Sequence, residues 1–186
     1  PHGVRPISGA QQVYLDPRYP GGRLRGFATK ESWAAWYGYH PAEWSRPIDA
    51  YHQDRIAHGI PEQGPDFGPA EVFPADINMD ILGGVALKKG CFVGQEVVAK
   101  ATNIGGVARL LSRIQCLDQV VPEAGGKVFS EEGQEIGWIT SAVYSPGLGR
   151  PIALSYLKRV VSVPGTDCYV ESGEERIRAR IVEAFD

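Results

Sequence analysis

The feature that most constrains the fold is a series of short segments after residue 107 in which apolar and polar residues alternate. In the last segment, Ile177, Ala179 and Ile181 alternate with arginines, so one face of the strand is apolar and the other faces solvent. Such alternation between Pro-Gly and Gly-Gly turn signals is typical of antiparallel strands. The pattern predicts a small β-barrel or sandwich of six strands, at residues 107–117, 127–130, 135–144, 151–157, 167–171 and 176–184.

The first third of the chain carries the signals of two strands and two helices. Residues 11–28 predict two short strands around an Asp-Pro and Pro-Gly-Gly turn. Thr29 is suited to cap a helix over residues 30–39, because its hydroxyl can accept a hydrogen bond from the first turn. A second helix is expected over residues 48–58 and ends at Gly59, which tolerates the left-handed backbone of a helix C-terminus.

Residues 61–87 differ in composition, with four prolines, five carboxylates and neither Lys nor Arg. The prolines exclude a regular helix over the first half, so we expect a long ordered loop and then a short apolar element around residues 81–87. The pattern changes again near residues 103–108. The sequence therefore predicts an α+β fold, with an α/β domain over residues 1–106 and a β-barrel domain over residues 107–186.

Charge and composition exclude several classes of protein. The chain has 186 residues, a formal net charge of −3 and a pI of about 5.8, which argues against nucleic-acid binding through bulk positive charge. No apolar run is long enough to cross a bilayer, and the first ten residues lack the apolar core of a signal peptide. Three widely spaced cysteines without a Cys-x-x-Cys pair, and four histidines not at ligand spacing, predict a reducing compartment and no metal site.

The richest chemistry lies in residues 88–96, KKGCFVGQE. Lysines beside Cys91, and a helix expected to begin after Gly94, are features that stabilise a thiolate. Gln95 and Glu96 add an amide and a carboxylate, so the loop is suited to an anionic or heterocyclic ligand. From spacing alone, a buried cysteine in a turn between a strand and a helix remains the alternative. The other two cysteines fall inside predicted strands, where a small buried residue is the ordinary explanation.

Residues 89–96, KGCFVGQE, match the signature of the YgfZ-type folate-binding proteins, a family that includes mitochondrial iron–sulfur assembly factors. Three further elements agree with that family: 16-DPR-18, the Arg-Ile of residues 55–56 followed by 59-GIPE-62, and the Pro-x-x-x-Asn of residues 74–78. Residues 137–157 resemble the C-terminal barrel shared with the glycine cleavage T-protein. The resemblance thus covers nearly the whole chain.

This resemblance implies that residues 1–106 form part of a folate-binding, T-protein-like domain that binds tetrahydrofolate or a derivative. It implies a non-classical accessory role in assembling or maintaining iron–sulfur clusters in target enzymes, including tRNA-modifying ones. Iron–sulfur enzymes or assembly proteins would be the partners, without membrane or direct nucleic-acid binding, in the bacterial cytoplasm or the mitochondrial matrix. The alternative is a folate-dependent aminomethyltransferase or demethylase of the T-protein type. Because the cysteine loop arrives near the middle of the chain, we expect the first part of the folate-binding domain to be missing.

The resemblance also assigns roles to individual residues. Cys91 would be the key functional residue and Lys89 would poise its thiolate. Gln95 and Glu96 would fix the loop or touch the ligand. The residues expected to face the pterin or the glutamate tail of folate are Arg55, Glu62, Asn78 and Arg18. For these, an ordinary structural role in a loop is the competing interpretation.

Overall fold

The computed structural model describes residues 12–19, 22–27, 29, 31–32, 48–86, 90–91, 94–96 and 108–183. The backbone divides into two compact units, Pro1–Tyr51 and His52–Asp186, and each is described by itself. The predicted boundary between residues 106 and 107 stays a prediction. In the structure, residues 52–86 belong to the same compact unit as the C-terminal strands.

The first unit contains the predicted hairpin. Strands β1 (Gln12–Asp16) and β2 (Arg23–Phe27) pair antiparallel, and Gly22 turns the chain into β2 with a φ of 70°. The expected cap of the next helix is also present, because the Ser32 amide donates a hydrogen bond of 3.2 Å to Thr29 Oγ1. The remainder of the predicted helix over residues 30–39, with its aromatic residues, lies outside the described residues.

Helix α1 (Ile48–Ala57) confirms the second predicted helix. The chain leaves it through Gly59, whose φ of 67° is the left-handed conformation that glycine adopts without steric cost. Residues 60–86 then form the long ordered loop expected from the prolines, with an isolated bridge between Gln63 and Phe67. The expected apolar element around residues 81–87 is a series of turns in its described part, because short-range backbone bonds such as that from the Leu82 amide to the Asn78 carbonyl close it locally.

The C-terminal strands form a closed antiparallel barrel, so the barrel rather than the sandwich is correct. All six predicted strands are confirmed. They are β3 (Arg109–Cys116), β4 (Lys127–Ser130), β5 (Glu135–Ser145), β6 (Arg150–Lys158), β7 (Asp167–Ser172) and β8 (Glu175–Val182). Within the barrel they are neighbours in the order β3, β6, β5, β4, β7 and β8, and β8 closes onto β3.

The barrel interior is filled by the apolar side chains that alternation directs inward. In β8 the inward residues are buried and the intervening arginines are exposed, as the sequence predicts. Cys116 and Cys168 are part of this core, and both pair with Ala179 across β8. The other buried members are Ile114, Val128, Ile136, Ile139, Ala153, Leu157, Val170, Ile177 and Ile181.

A second core lies on the outer face of β3, β5 and β6, where the segment 52–86 covers the barrel. Ile56 and Ile77 of that segment pack with side chains of the strands. Residues 151–157 of β6 are consequently buried on both faces, one against the barrel interior and one against this covering segment. The strand residues of the second core are Leu111, Ile152, Leu154 and Tyr156, with Trp138 and Val143 partly buried beside them. No helix in the described ranges is long and apolar enough to cross a bilayer.

Candidate functional site

The cysteine loop presents its thiol to solvent. Cys91 is exposed and free, so the alternative of a buried thiol in a turn is wrong. Gly94 has a φ of 87°, which only glycine adopts readily, and it leads into helical residues at Gln95 and Glu96, both exposed. Three of the four predicted loop residues, Cys91, Gln95 and Glu96, are therefore exposed to solvent. Lys89 lies outside the described residues.

Arg55 lies at the centre of a buried polar network, and its side chain is only 1% exposed. Its Nη1 donates to Asp66 Oδ2 at 2.6 Å and to the Ile60 carbonyl at 3.4 Å, while its Nη2 donates to Ser141 Oγ at 2.8 Å. The guanidinium turns inward because the Asp66 carboxylate compensates its charge.

Asp66 joins this network to the barrel. Its Oδ1 accepts hydrogen bonds from Thr140 Oγ1 at 2.5 Å and Ser141 Oγ at 2.6 Å. Its Oδ2 accepts from the Glu62 amide at 2.9 Å as well as from Arg55. Both carboxylate oxygens thus have two donors each, which is what a buried charge needs to be tolerated.

A bulge in β5 allows two neighbouring hydroxyls to reach one carboxylate. The pairing of β5 with β6 shifts between Ile139 and Ser141, and Thr140 is the extra residue. In a regular strand, side chains at neighbouring positions point to opposite faces. An inserted residue breaks that alternation and can re-aim a side chain, so Thr140 and Ser141 contact Asp66 together.

Glu62 and His52 form the accessible edge of the same network. Arg55 Nε donates to His52 Nδ1 at 2.9 Å and lies 3.3 Å from Glu62 Oε2. Because the arginine donates, Nδ1 of His52 is the acceptor in this hydrogen bond. The Glu62 side chain is 34% exposed, so its carboxylate can also accept N–H donors from outside. Contacts of Glu62 and Arg55 with folate stay predictions. In the structure the Glu62 side chain is accessible, whereas the Arg55 side chain is buried.

Asn78 fastens the covering segment at a second point. It is buried with a φ of 57°, a left-handed conformation that Asn tolerates better than most residues. Its Nδ2 donates to the Leu111 carbonyl of β3 at 2.8 Å, and the Leu111 amide donates to the Asp76 carbonyl at 2.8 Å. This anchoring explains the residue type locally, and a contact between Asn78 and folate stays a prediction.

Arg18 belongs to the first compact unit and is engaged by its neighbour Asp16. Its Nε and Nη2 donate to the two carboxylate oxygens of Asp16 at 2.9 Å and 2.6 Å. The hydrogen bond from Arg18 holds the pKa of Asp16 below its usual value, and the same bond raises the pKa of Arg18. This bidentate pair fixes the Asp-Pro-Arg turn. The predicted role of Arg18 in folate binding stays a prediction.

An apolar cavity of about 480 Å³ opens within the covering segment. Its lining includes Gln63, Phe67, Val72, Ile77, Met79 and Val85. The volume lies in the range of small-molecule sites, and most of the wall is apolar. Two of the predicted folate residues, Glu62 and Asn78, directly adjoin lining residues in sequence.

The two barrel cysteines contrast with Cys91. Burial raises the pKa of Cys116 and of Cys168 to about 12, and the charges of Asp118 and Asp167 act in the same direction. Such thiols remain protonated and inert at neutral pH. Among the described residues, no group of three or more His, Cys, Asp or Glu side chains is arranged to hold a metal ion.

Asp66 is the residue of this site that the sequence did not distinguish, whereas Thr140 and Ser141 fall within the stretch 137–157 that resembles the T-protein barrel. The carboxylate stood among five acidic residues in the loop, and nothing in its neighbours distinguished it. The Thr-Ser pair interrupts the alternation of β5, which is the one local signal that a bulge leaves.

Comparison with known proteins identifies the barrel. Residues 109–185 match the family model of the glycine cleavage T-protein C-terminal barrel domain. The fold also resembles the crystal structure of glycine cleavage system aminomethyltransferase T from Bartonella henselae, with a TM-score of 0.63, 23% identity and coverage of 72% of this chain and 37% of that one. The barrel of this chain is therefore a glycine cleavage T-protein C-terminal barrel domain.

Over longer stretches the chain is similar to proteins of two kinds. It is 31% identical over 101 residues to the mitochondrial iron–sulfur cluster assembly factor IBA57 of Homo sapiens, which covers 53% of this chain and 28% of that protein. It is 35% identical over 159 residues to an aminomethyltransferase of Koribacter versatilis, which covers 73% of this chain and 42% of that enzyme. The chain thus spans less than half the length of these relatives.

Proposed function

We propose that this protein is a folate-binding accessory factor for the assembly or maintenance of iron–sulfur clusters in target enzymes, including tRNA-modifying enzymes. The observation that carries the proposal is the exposed Cys91 thiol within the full KGCFVGQE signature. The similarity to iron–sulfur cluster assembly factors from human and from Coccidioides immitis supports the same direction. The protein would act in the bacterial cytoplasm or the mitochondrial matrix.

The arrangement favours an accessory role for the thiol over hydrolytic catalysis. A cysteine hydrolase needs a histidine beside the nucleophile. The two histidines in the described ranges have other contacts: His52 accepts a hydrogen bond from the buried Arg55, and the Nδ1 of His58 lies 2.8 Å from the backbone carbonyl of Asp54. A single cysteine also cannot hold an iron–sulfur cluster by itself, so Cys91 would act together with a partner protein or its cluster.

Folate binding is tested by calorimetry of the full-length protein with tetrahydrofolate. We expect a Kd in the micromolar range or tighter, about −8 kcal/mol or better. Glu62→Gln should weaken binding, because the accessible carboxylate would lose its charge while keeping its shape. Absence of both heat and thermal stabilisation on adding tetrahydrofolate would contradict the folate part of the proposal.

The role of the thiol is tested in cells that lack the protein. Cys91→Ala and Cys91→Ser should fold normally, because the side chain is exposed, yet fail to restore iron–sulfur enzyme activity. Cys168→Ala is the matched control, since it removes a buried barrel thiol and should still rescue. Full rescue by both Cys91 variants would assign that cysteine a purely structural role.

The second candidate is a folate-dependent aminomethyltransferase or demethylase. Its support is the similarity to the aminomethyltransferase of Koribacter versatilis over 73% of this chain. The KGCFVGQE run favours the accessory factor, because the T-protein pattern at this place lacks it. Aminomethyl transfer or demethylation by the purified full-length protein would support this second candidate over the accessory factor.

A further inference from the structure

We propose that Asp66 is a positioning residue for the cysteine loop, because it ties the segment that leads into that loop to the bulge of β5. The proposal rests on the proposed function of Cys91 and adds the means by which the barrel fixes where the thiol is presented. On this view the barrel takes part in function as a rigid reference for the loop.

The hydrogen-bond network around Asp66 satisfies both carboxylate oxygens. Its side chain is fully buried, and its four hydrogen bonds come from α1, the covering segment and β5. Ser141 Oγ closes a ring, because it accepts from Arg55 Nη2 and donates to Asp66 Oδ1. A buried network in which each member depends on the others has one low-energy arrangement and resists sliding.

Between Asp66 and the thiol, the chain is attached to the barrel at a second point. After the network, the segment is fastened again where Asn78 and Asp76 bond the backbone of Leu111. Cys91 follows Ala86, the last described residue of the segment, by five residues. Five residues span at most roughly 18 Å, so the two attachments restrict where Cys91 can lie relative to the barrel.

Substitutions at Asp66, Thr140 and Ser141 each weaken the network in a different way. Asp66→Asn keeps the shape but replaces one acceptor oxygen by an amide donor. If the amide faces Arg55 and the Glu62 amide, it meets two donors; if it faces the two hydroxyls, it removes the acceptor that both of them share. Thr140→Val and Ser141→Ala each remove a single hydroxyl, and they leave the carboxylate with three donors. Asp118→Asn is the matched control, because it disrupts the exposed ion pair with Arg178 on the same barrel.

The experiment measures the distance between spin labels at Cys91 and at Glu174→Cys, in the exposed β7–β8 turn. Cys116 and Cys168 are buried and should not react with the label. We expect one narrow distance distribution without substitution, broadening at least twofold with Asp66→Asn, smaller broadening with Thr140→Val and Ser141→Ala, and no change with Asp118→Asn. The measurement needs no folate, so it is independent of whether folate binds.

Two outcomes would overturn the proposal. One is an unchanged distribution in a folded Asp66→Asn variant, which would make the network a source of stability alone. The other is a distribution that is already as broad before substitution. If Asp66→Asn does not fold, the two hydroxyl variants decide between the same outcomes. Failure of tetrahydrofolate binding combined with the expected broadening would reject the folate function and retain the positioning role of Asp66.

Discussion

The three cysteines occupy two environments, and their reactivity should differ accordingly. Cys91 is exposed, whereas burial raises the pKa of Cys116 and Cys168 to about 12. Relative to an ordinary thiol, that shift lowers the thiolate fraction at pH 8 about 1000-fold. We predict that an aromatic disulfide reagent titrates one thiol per native chain rapidly and three after unfolding. Peptide mapping of the modified cysteine checks the assignment, and Cys91→Ser should abolish the rapid phase.

For individual residues, the environment of a cysteine can be predicted from the sequence better than the partners of a buried charged side chain. The strand positions of Cys116 and Cys168 follow from local alternation, and the KGCFVGQE match singles out Cys91. The environment of Arg55 does not follow, because its partners lie 11 residues away at Asp66 and 86 residues away at Ser141. Burial of an arginine depends on such distant compensation, which a local pattern does not contain.

At the scale of elements, Asn78 is the residue that lets the covering segment turn onto β3. Asn78→Ala should destabilise the protein by about 2–3 kcal/mol, since it leaves the Leu111 carbonyl without its side-chain donor and forces alanine into a left-handed backbone. Asn78→Gly loses the same donor without the strain, so it should be about 1 kcal/mol less harmful. Denaturant unfolding of the two variants measures the difference, and equal losses would mean that the backbone conformation costs nothing.

Among the elements, the regular strands and α1 are predictable because their signals are local: period two, turn residues and a glycine at the helix end. The bulge at Thr140 is harder to predict. Its two hydroxyls become useful only because a carboxylate from the covering segment arrives opposite them. A sequence pattern shows the interruption of alternation and not the reason for it.

At the scale of the whole molecule, alternation leaves barrel and sandwich equally open. Closure depends on β8 pairing with β3 at the far end of the domain, a contact between distant parts of the chain. The double burial of β6 has the same origin, since one of its faces is covered by a segment that precedes the barrel in sequence. Composition marks residues 61–87 as distinct from the strands and does not show that they belong to the same compact unit.

The closed barrel makes a prediction about alkaline stability. In the unfolded chain the thiols of Cys116 and Cys168 ionise near their ordinary pKa of 9.0, while in the barrel they keep their protons up to about 12. Above pH 9 the native state therefore binds more protons than the unfolded state, so the free energy of unfolding falls as pH rises. The loss should be about 1 kcal/mol for each thiol between pH 8.5 and 10. Burial also raises the pKa of Tyr156, which adds a loss in the same direction at higher pH.

The matched comparison is a variant with Cys116→Ala and Cys168→Ala, unfolded by denaturant under reducing conditions across the same pH range. Removing both thiols should lower stability at every pH, because each substitution leaves a small cavity in the core. It should also flatten the alkaline slope, because two of the groups that release protons on unfolding are gone. Parallel slopes for the two proteins would show that the barrel thiols are not held protonated by burial, and Cys91→Ala, which leaves the barrel untouched, should keep the original slope.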